Sequence, residues 1–435
     1  MSVAVSRLSF KQVVIESTDG ETKVDVTNSL IFIDYFEDIL SPCVTMEMHL
    51  FNSSSLLNIL PIRGGERVAI SLDTAFGEFE LDGENSMYVY KASGMNQTTT
   101  SEMFKLSLVS REGLTNETAR CQKKYTGNIK TTVESILKDV LKTEKYKEEN
   151  IEGTANSYAF IGNQKKPFHI LTWLCPKSMP QYSGGVSGGN KDGLAKGTAG
   201  FLFFENKDGF NFKSIDNLVS NAKLGESSSD LKNIPYYFYT EINDQNKVVN
   251  DFKILNYNFE KNIDLMKSLR VGMYSNKTYF YDLYTNTLNQ YTYYLKNEIK
   301  NKLGTNDDIP VPKGFEESIT RLMFRTSDRG VLDNQGVTKD SGRDVADMAK
   351  AFSRYNILFT QALNMNVPCN INLKAGDVIY AEFPAIERTD NKEPDKDQSG
   401  FYLIKEVRHH FEAQQVVSSL RLIRDSYGLY GSQNA

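Results

Sequence analysis

The imidazole side chains are few, and their spacing does not suit catalysis by a bound metal. The chain has four histidines, His49, His169, His409 and His410, and no H-E-x-x-H or comparable spacing joins any two of them. His409 and His410 are neighbours in a predicted strand, so their rings point to opposite faces and do not easily grip one ion. His49 alternates with apolar residues, which favours a surface or packed histidine. No metal site is predicted.

The thiols give no stronger signal for chemistry. Cys43, Cys121, Cys175 and Cys369 lie far apart without a C-x-x-C pair, which argues against a disulfide framework or a zinc ribbon. His169 precedes Cys175 by six residues, so a helix would place the two on largely opposite faces, and a Cys–His nucleophile is not favoured. No G-x-S-x-G is present, and an acidic pair for glycoside hydrolysis cannot be located without a fold. We predict no catalytic, cofactor-binding or metal-binding residues, and the pattern leaves the partner-binding residues unknown.

A glycine-rich segment at 183–200 is the remaining candidate for a ligand site. It has seven glycines in eighteen positions but fits neither G-x-x-x-x-G-K-[ST] nor G-x-G-x-x-G between a strand and a helix. We therefore predict a mobile loop rather than a phosphate cradle.

Composition narrows the class of protein further. The 435 residues suggest about three compact domains. Lys+Arg 50 against Asp+Glu 55 leaves a net charge of −5, which provides no electrostatic footprint for specific nucleic-acid binding. The start of the chain lacks the pattern of a secretion signal, and the densest apolar stretch, 30–36, is too short to cross a bilayer. We expect a chain made in a reducing cytoplasm, without a membrane-spanning segment.

The periodicity predicts a β-dominated chain with a few helices. Alternation of apolar and polar residues at 44–50 and 68–72 indicates half-buried strands, and 23 tyrosines and 25 phenylalanines favour strands as well. The further predictions are a helical turn at 53–61, a helix at 129–141 with a Thr131/Glu134 capping box, a helix from Pro167 to Pro176, a hairpin at 201–212, a strand-turn-strand at 273–284, surface loops at 300–342, a helix at 344–355, and strands at 357–367, 400–410 and 416–424. For the tyrosine-rich segment 250–300, ordinary packing is favoured over a subunit interface.

The end of the chain repeats the plan of its beginning. The matched features are a proline (Pro61 and Pro368), a glycine–acid turn (Gly65-Glu66 and Gly376-Asp377), a strand (87–91 and 401–405) and a final strand (106–109 and 420–423). Lys91 precedes Leu106 by fifteen residues, and Lys405 precedes Leu420 by the same number. We interpret the match as two related β-barrel domains, with coincidence between ordinary meanders as the alternative.

Several segments resemble one family, the baseplate central hub proteins of contractile-tailed bacteriophages, and are similar to the hub part of type VI secretion spike proteins. The segments are Ala349–Asn356 through Val367-Pro368, Leu373–Ile379, Ser399–Phe411, Leu420–Asp425, the hairpin at 200–205 and Phe212–Leu218. The resemblance implies a homotrimer with pseudo-sixfold symmetry that joins the trimeric spike (tail lysozyme) protein to the hexameric tail tube. It also implies tube initiator and baseplate wedge partners, and viral DNA that passes through a channel without specific binding.

The predicted fold class is α+β and β-dominated, with two tube-like antiparallel β-barrels, a mixed α/β insertion and a peripheral β-rich segment. The expected divisions are 1–112 for the first barrel, 113–200 for the α/β insertion, 201–260 for a hairpin and the start of the second barrel, 261–342 for the tyrosine-rich insertion, 343–425 for the second barrel, and 426–435 for a tail. The expected function is structural, without enzyme activity or cofactor, in the tail baseplate of a virion assembled in the host cytoplasm. The alternatives are a cell-wall glycan hydrolase of the tail and a receptor- or carbohydrate-binding β-protein.

Overall fold

Antiparallel strands with a few helices make up the computed structural model, so the prediction of a β-dominated α+β chain is confirmed. The structure describes residues 8–52, 60–98, 100–181, 199–220, 234–240, 251–261, 264–283, 286–295, 303–304, 318–327, 341–385, 394–413 and 415–428. The predicted helical turn at 53–61 and the glycine-rich segment at 183–200 fall largely outside these residues.

A first strand set is formed by the beginning of the chain. Its strands are β1 (Ser9–Glu16), β2 (Lys23–Asp25), β3 (Leu30–Asp38), β4 (Thr45–Asn52), β5 (Arg67–Thr74), β6 (Gly77–Leu81), β7 (Met87–Gln97) and β8 (Glu102–Ser110). They pair in the order β3-β4-β8-β7-β5-β1-β2, with β6 beside β5. The alternating residues Met46, Met48 and Leu50 all point into one core with Leu106 and Leu108, as their period of two predicts.

A second strand set combines a middle segment with the end of the chain. Its strands are β13 (Tyr236–Tyr239), β14 (Lys253–Ile254), β15 (Asn256–Lys261), β19 (Gln361–Pro368), β20 (Val378–Glu382), β21 (Gly400–Glu412) and β22 (Gln415–Arg424). β20 pairs with β13, β13 with β14, and β14 continues beyond Leu255 into β15, which pairs with β19. The pairs β19-β22, β22-β21 and β21-β20 complete the ring, so this set is a closed barrel.

Five strands of each set pair in the same order. The order is β3-β4-β8-β7-β5 in the first set and β15-β19-β22-β21-β20 in the second, and every one of these pairs is antiparallel. Chain order is the same as well, since β3, β4, β5, β7 and β8 follow one another as β15, β19, β20, β21 and β22 do. The repeat that the sequence predicts is thus confirmed as a repeat of strand order.

The glycine–acid turns make equivalent hydrogen bonds in the two sets. Gly65 N donates to Val89 O at 2.7 Å, and Val89 N donates to Glu66 O at 2.9 Å. In the second set Gly376 N donates to the Ile404 carbonyl at 2.9 Å, and the Ile404 amide donates to the Asp377 carbonyl at 2.8 Å. Both glycines have a left-handed φ, +96° and +92°, which side chains rarely adopt.

The strand match that the sequence suggests is wrong by one residue. The sequence pattern aligns Lys91 with Lys405, but each strand contains a bulge, with Tyr90 as the extra residue in β7 and Lys405 in β21. The bulges therefore align Tyr90 with Lys405, and Val89 with Ile404. The bulges at Tyr90 and Lys405 are equivalent and do not cause the offset. It arises because β7 contains a further bulge between Ser93 and Asn96, where two residues lie opposite one residue of β8, and β21 has no bulge there.

A mixed α/β insertion follows the first set, and the hairpin, which is predicted to belong with the second barrel, packs into the core of this insertion. Its elements are α1 (Arg111–Thr118), β9 (Lys124–Tyr125), α2 (Ile129–Ser135), β10 (Phe160–Ile161), α3 (Pro167–Leu174), β11 (Phe201–Asn206), β12 (Gly209–Ser214) and α4 (Ile215–Ser220). α2 continues as a π-helical turn to Leu141. The predicted capping box is wrong: Asn128 caps α2 by accepting from Lys130 N at 2.9 Å, so the helix begins before Thr131.

The tyrosine-rich segment forms a separate three-stranded sheet. α5 (Leu265–Arg270) leads into β16 (Ser275–Asp282), which pairs with β17 (Thr287–Tyr294) and β18 (Leu322–Ser327). The predicted strand-turn-strand at 273–284 is instead one strand whose turn comes later. β18 lies within the segment 300–342, which is predicted to form surface loops. The alternation of β18 is too short to stand out in a polar segment, so the sequence does not indicate this strand.

The last described helix, α6 (Ser341–Ile357), packs against β17 of this sheet and against the turn Cys175–Lys177 that follows α3. The predicted helix at 344–355 is confirmed, but the predicted strand from 357 is wrong at its start, because Ile357 ends the helix and β19 begins at Gln361. Arg354 on α6 is fully buried and ion-paired: its Nε lies 3.1 Å from Asp216 and its Nη1 lies 2.8 Å from Asp425. This pair of carboxylates ties the helix to α4 and to the end of β22.

Candidate functional site

The two strand sets share one continuous sheet. The second half of β21 pairs with β22 on one side and with β3 on the other, from Glu406 opposite Asp38 to Glu412 opposite Phe32. Eight strands therefore run side by side in the order β7-β8-β4-β3-β21-β22-β19-β15. Four of them belong to each set, and each half has the same internal order.

One face of this eight-stranded sheet is polar. Apolar side chains such as Met48 and Met365 point to the cores, so the residues between them point to the opposite face. We call this second surface the polar face; its residues are Lys91, Ser93, Lys105, Ser107, Glu47, His49, Phe32, Asp34, Phe36, Asp38, Glu406, Arg408, His410, Glu412, Ser419, Arg421, Asn364, Asn366, Asn256, Asn258 and Glu260. The paired apolar residues Phe51 and Met103 are exposed on the same side of the sheet, at the ends of β4 and β8.

An ion-paired clamp holds the polar face together where the two sets meet. The Arg408 guanidinium donates to both carboxylate oxygens of Asp34, from Nε at 2.9 Å and from Nη2 at 2.8 Å. His410 Nδ1 lies 2.7 Å from the same carboxylate. Asp34 is only 4% exposed, so its charge is stabilised by these two partners rather than by water.

The bulge in β21 adds a second connection across the same junction. The Lys405 ammonium lies 2.7 Å from the Asp38 carboxylate, and Ile39 N donates to the Lys405 carbonyl at 2.9 Å. Lys405 stands where β21 stops pairing with β20 and begins to pair with β3. The bulge thus changes the direction of β21, so that its first half pairs within the second set and its second half pairs with the first set.

Charges on the polar face are mostly compensated. Six carboxylates (Asp34, Asp38, Glu47, Glu260, Glu406 and Glu412) face four basic side chains (Lys91, Lys105, Arg408 and Arg421), and Lys405 reaches the same surface. Lys105 pairs with Glu47 at 2.6 Å, and Arg421 pairs with Glu260 at 2.9 Å. The face is therefore hydrophilic and slightly acidic, without a basic patch that would hold a phosphate backbone.

A buried carboxylate joins three parts of the fold on the core side of the junction. Glu37 on β3 accepts hydrogen bonds from Lys207 N at 2.6 Å, Ala375 N at 2.8 Å and the Tyr35 hydroxyl at 3.0 Å. Lys207 lies in the β11–β12 turn, and Ala375 precedes Gly376. Burial raises the pKa of Glu37 to about 7, although the three donors oppose that shift.

The insertion is anchored to the first strand set by a second buried ion pair. Lys145 lies 3.0 Å from Glu112 on α1 and 3.5 Å from Glu205 on β11. The Glu205 carboxylate also accepts from Ser110 Oγ at 2.6 Å and from Val44 N at 3.0 Å. Burial raises the pKa of Glu205, with Lys145 opposing the shift. These contacts fix the hairpin against β4 and β8.

The three-stranded sheet presents a different kind of surface. Its inner face is buried and includes Asn276, Thr278 and Phe280, whereas the outer face exposes large side chains. The exposed fractions are 74% for Phe324 and 60% each for Leu288 and Leu322. Ordinary packing thus accounts for one face of the tyrosine-rich segment only.

The four histidines lie in different environments. His409 is buried between Ser418 Oγ at 2.8 Å and the Leu373 carbonyl at 3.2 Å, and burial lowers its pKa to about 4. His410 points to the polar face, so the prediction of opposite faces is confirmed. His49 stacks on Phe32 at 4.1 Å between ring centroids. His169 is exposed on α3, whereas the Cys175 thiol is buried.

The remaining cysteines are free thiols: Cys43 is half-buried, and Cys121 and Cys369 are buried. In the described ranges, no three His, Cys, Asp or Glu side chains are grouped to share a metal ion. None of the described helices is both long enough and apolar enough to cross a membrane.

The clamp of Asp34, Arg408 and His410 cannot be predicted from the sequence. Asp34 lies more than 370 residues from Arg408 and His410 in the chain, and neither segment has a local motif. The available signal was the alternation in β21, where charged or polar side chains at 406, 408, 410 and 412 interrupt Val407, His409 and Phe411. That pattern predicts a strand with one polar side, but it does not predict which strand pairs with it.

Comparisons with known proteins identify the fold. The chain is similar to a tail protein from Neisseria meningitidis MC58, at 10% sequence identity and a TM-score of 0.54, over 95% of this chain and 96% of that one. It is also similar to the 43 kDa tail protein of prophage MuSo2 from Shewanella oneidensis, at 8% identity and a TM-score of 0.52, over 95% and 98%. No protein-family model and no curated protein sequence matches. The chain has the fold of these two tail proteins, along nearly its whole length.

Proposed function

We propose that the chain is a structural hub at the centre of a phage tail baseplate, where three copies form a ring. The observation that carries the proposal is the internal repeat, with five strands of equal order in each set and equivalent turn hydrogen bonds. The likeness of the fold to two tail proteins supports it. In this role the protein joins a trimeric spike to a hexameric tail tube.

The repeat suits an adaptor between threefold and sixfold symmetry. A trimer of chains with one barrel each would offer three equivalent surfaces to a hexameric tube. A trimer of this chain offers six similar strand sets, while its insertions still occur only three times. One face can therefore match six tube subunits while other parts match a three-chain spike.

The polar face is the surface we assign to the wall of the ejection channel. Its carboxylates slightly outnumber its basic groups, and most charges are paired within the sheet. A phosphate backbone meets no cluster of free cations on such a wall, so DNA passes without being held.

The proposed division places tube-like domains at 1–112 and 343–425, with 201–260 supplying the first strands of the second one. The α/β insertion at 113–200 and the tyrosine-rich insertion at 261–342 then lie outside the ring, and 426–435 is a tail. The proposed partners are the spike or tail lysozyme protein, tube initiator proteins and baseplate wedge components. The site of action is a contractile tail in the virion, after assembly in the host cytoplasm.

Native mass spectrometry of the purified chain, alone and with its spike partner, tests the proposal. The expected species is a trimer of 3 × 49.2 = 147.6 kDa, and negative-stain images should show a ring with a central hole. A chain that stays monomeric at every concentration, with the spike present as well, contradicts the proposal.

A zymogram with purified peptidoglycan separates this proposal from a glycan hydrolase. The structural hub has no turnover, so we expect no clearing at any concentration of the chain. Clearing by the purified chain, abolished by replacing a specific carboxylate, would contradict the non-enzymatic role.

A further inference from the structure

The eight-stranded sheet ends in two strands with unused edges. Beyond the bulge at Tyr90, β7 pairs with β8 on one side, and no other described strand pairs with residues 91–97. At the opposite end, β15 pairs with β19, and no other described strand pairs with residues 256–261. These two edges offer free backbone donors and acceptors, which sheet proteins normally cover or pair.

The repeat shows how such edges can be paired. β7 in the first set is equivalent to β21 in the second, and β3 is equivalent to β15. Within the chain, β21 pairs with β3 from Glu406 to Glu412, and this pair is the junction between the two sets. The two free edges are therefore the equivalents of the two strands that already pair at that junction.

We infer that β7 of one copy pairs antiparallel with β15 of the next copy, which forms the seam between subunits. The inference rests on the proposed trimer and specifies its interface. The register follows from the repeat: Ser93 is equivalent to Arg408 and Lys261 to Phe36, and Arg408 lies opposite Phe36. Ser93 therefore lies opposite Lys261 of the neighbouring copy, and three copies close a ring of 3 × 8 = 24 strands.

The seam differs chemically from the internal junction. The position of Asp34 is taken by Asn258, that of Arg408 by Ser93, and that of the bulged Lys405 by Tyr90. The seam therefore has backbone pairing without the ion-paired clamp. Its strength should depend less on salt than a seam with the clamp would, because the equivalents of Arg408 and Asp34 are uncharged.

A cysteine pair tests the register. Ser93→Cys with Lys261→Cys places two thiols on opposed residues of an antiparallel pair, whose Cα separation of about 4.5–5.5 Å suits a disulfide. Under mild oxidation we expect covalent dimers and trimers on a non-reducing gel, and their loss with a reductant. Each single variant and the unmodified chain should remain monomeric on the same gel.

The matched control is Ser93→Cys with Gln290→Cys, since Gln290 is exposed on β17, outside both strand sets. Equal cross-linking by this control would overturn the inference, because the bonds would then report random collisions. A native trimer in which Ser93→Cys with Lys261→Cys stays uncross-linked also overturns it, while the proposed hub remains. A chain that never trimerises removes the hub proposal and the seam together.

A second variant transfers the clamp to the seam and does not depend on disulfide chemistry. Ser93→Arg with Asn258→Asp recreates the Arg408–Asp34 pair between copies. We expect the double variant to lower the concentration at which trimers dissociate by about tenfold, and neither single variant to do so. Additive effects of the two single changes would contradict the seam, because the residues would then not meet.

Discussion

At the scale of single residues, Glu37 is a buried carboxyl whose protonation should affect the stability of the fold. Its carboxylate is buried where β3, the β11–β12 turn and the Gly376 turn meet. The charged groups around it are Asp377, Lys207, Lys374 and Asp208, and burial raises the pKa of Asp377 to about 6. Two neighbouring carboxyls therefore bind protons more readily in the folded chain than in the unfolded one.

This arrangement sets the sign of a pH dependence. The pKa of Glu37 is about 7 when folded and 4.5 ordinarily, so between these values the folded chain holds more protons. The free energy of unfolding should then fall as pH rises from about 5 to 7, by up to about 3 kcal/mol from this group. Glu37→Gln should flatten that fall in urea unfolding measured at several pH values.

The control for this experiment is Glu84→Gln, which removes a carboxylate at an exposed position of the first strand set. It separates the loss of one negative charge from the loss of a buried one. If Glu37→Gln and Glu84→Gln give the same pH profile as the unmodified chain, the buried carboxyl is not the source of the dependence.

At the scale of elements, the two glycine–acid turns fix the position of the strands that follow them. A Cβ at Gly376 would lie 2.8 Å from Phe204 Cζ, in a backbone with φ of +92°. A Cβ at Gly65 would lie 3.1 Å from Thr18 Cγ2, with φ of +96°. A glycine is therefore required at position 376 for two reasons: the left-handed backbone of the turn, and the close approach of the β11–β12 hairpin.

We expect Gly376→Ala to destabilise the chain by about 3 kcal/mol or more, from backbone strain together with overpacking against Phe204. The matched control is Gly83→Ala, which has φ of +58° and no atom within 4 Å of the added Cβ, so strain alone costs about 1 kcal/mol. Thermal unfolding of both variants measures the difference. Equal losses would show that the contact with Phe204 does not limit this turn.

Much of the element plan could be predicted from the sequence, and the failures have local causes. Alternation located β4, β5 and β22, and the Asp208-Gly209 turn located the β11–β12 hairpin, because these patterns depend on nearby residues. The start of β19 was wrong because Ile357 and Phe359 continue an alternating pattern while the backbone is still helical or turning. The alternation in β21 predicts one polar side of that strand, but the bulges and the strands that complete the polar face depend on long-range pairing, for which the sequence has no local sign.

At the scale of the whole molecule, the shared sheet makes the two strand sets one folding unit. β3 and β21 belong to different sets but pair along seven residues of each, and the core of the first set includes Phe411 and Val416 from the second. A cavity in one core should therefore lower the stability of both sets. Independent domains joined by a linker would behave differently.

Met48→Ala and Met365→Ala test this coupling, because they are equivalent positions that are fully buried in the two cores. Each should cost about 2–5 kcal/mol and lower the same calorimetric transition. Leu322→Ala, at a residue that is 60% exposed on β18, is the control and should change stability little. Two separated transitions, each moved by only one of the core variants, would contradict a common unit.

Because β21 pairs with a strand on each side, insertions and deletions of residues within it are restricted. A residue added or removed after Lys405 would turn Arg408 and His410 inward and Val407 outward, and it would do so against β3 and β22 together. Insertion of a codon in this strand should therefore prevent folding. Insertions and deletions should be tolerated only in the connections between strands. Chains that evolve from this one should therefore differ in the lengths of their loops but keep the length of β21.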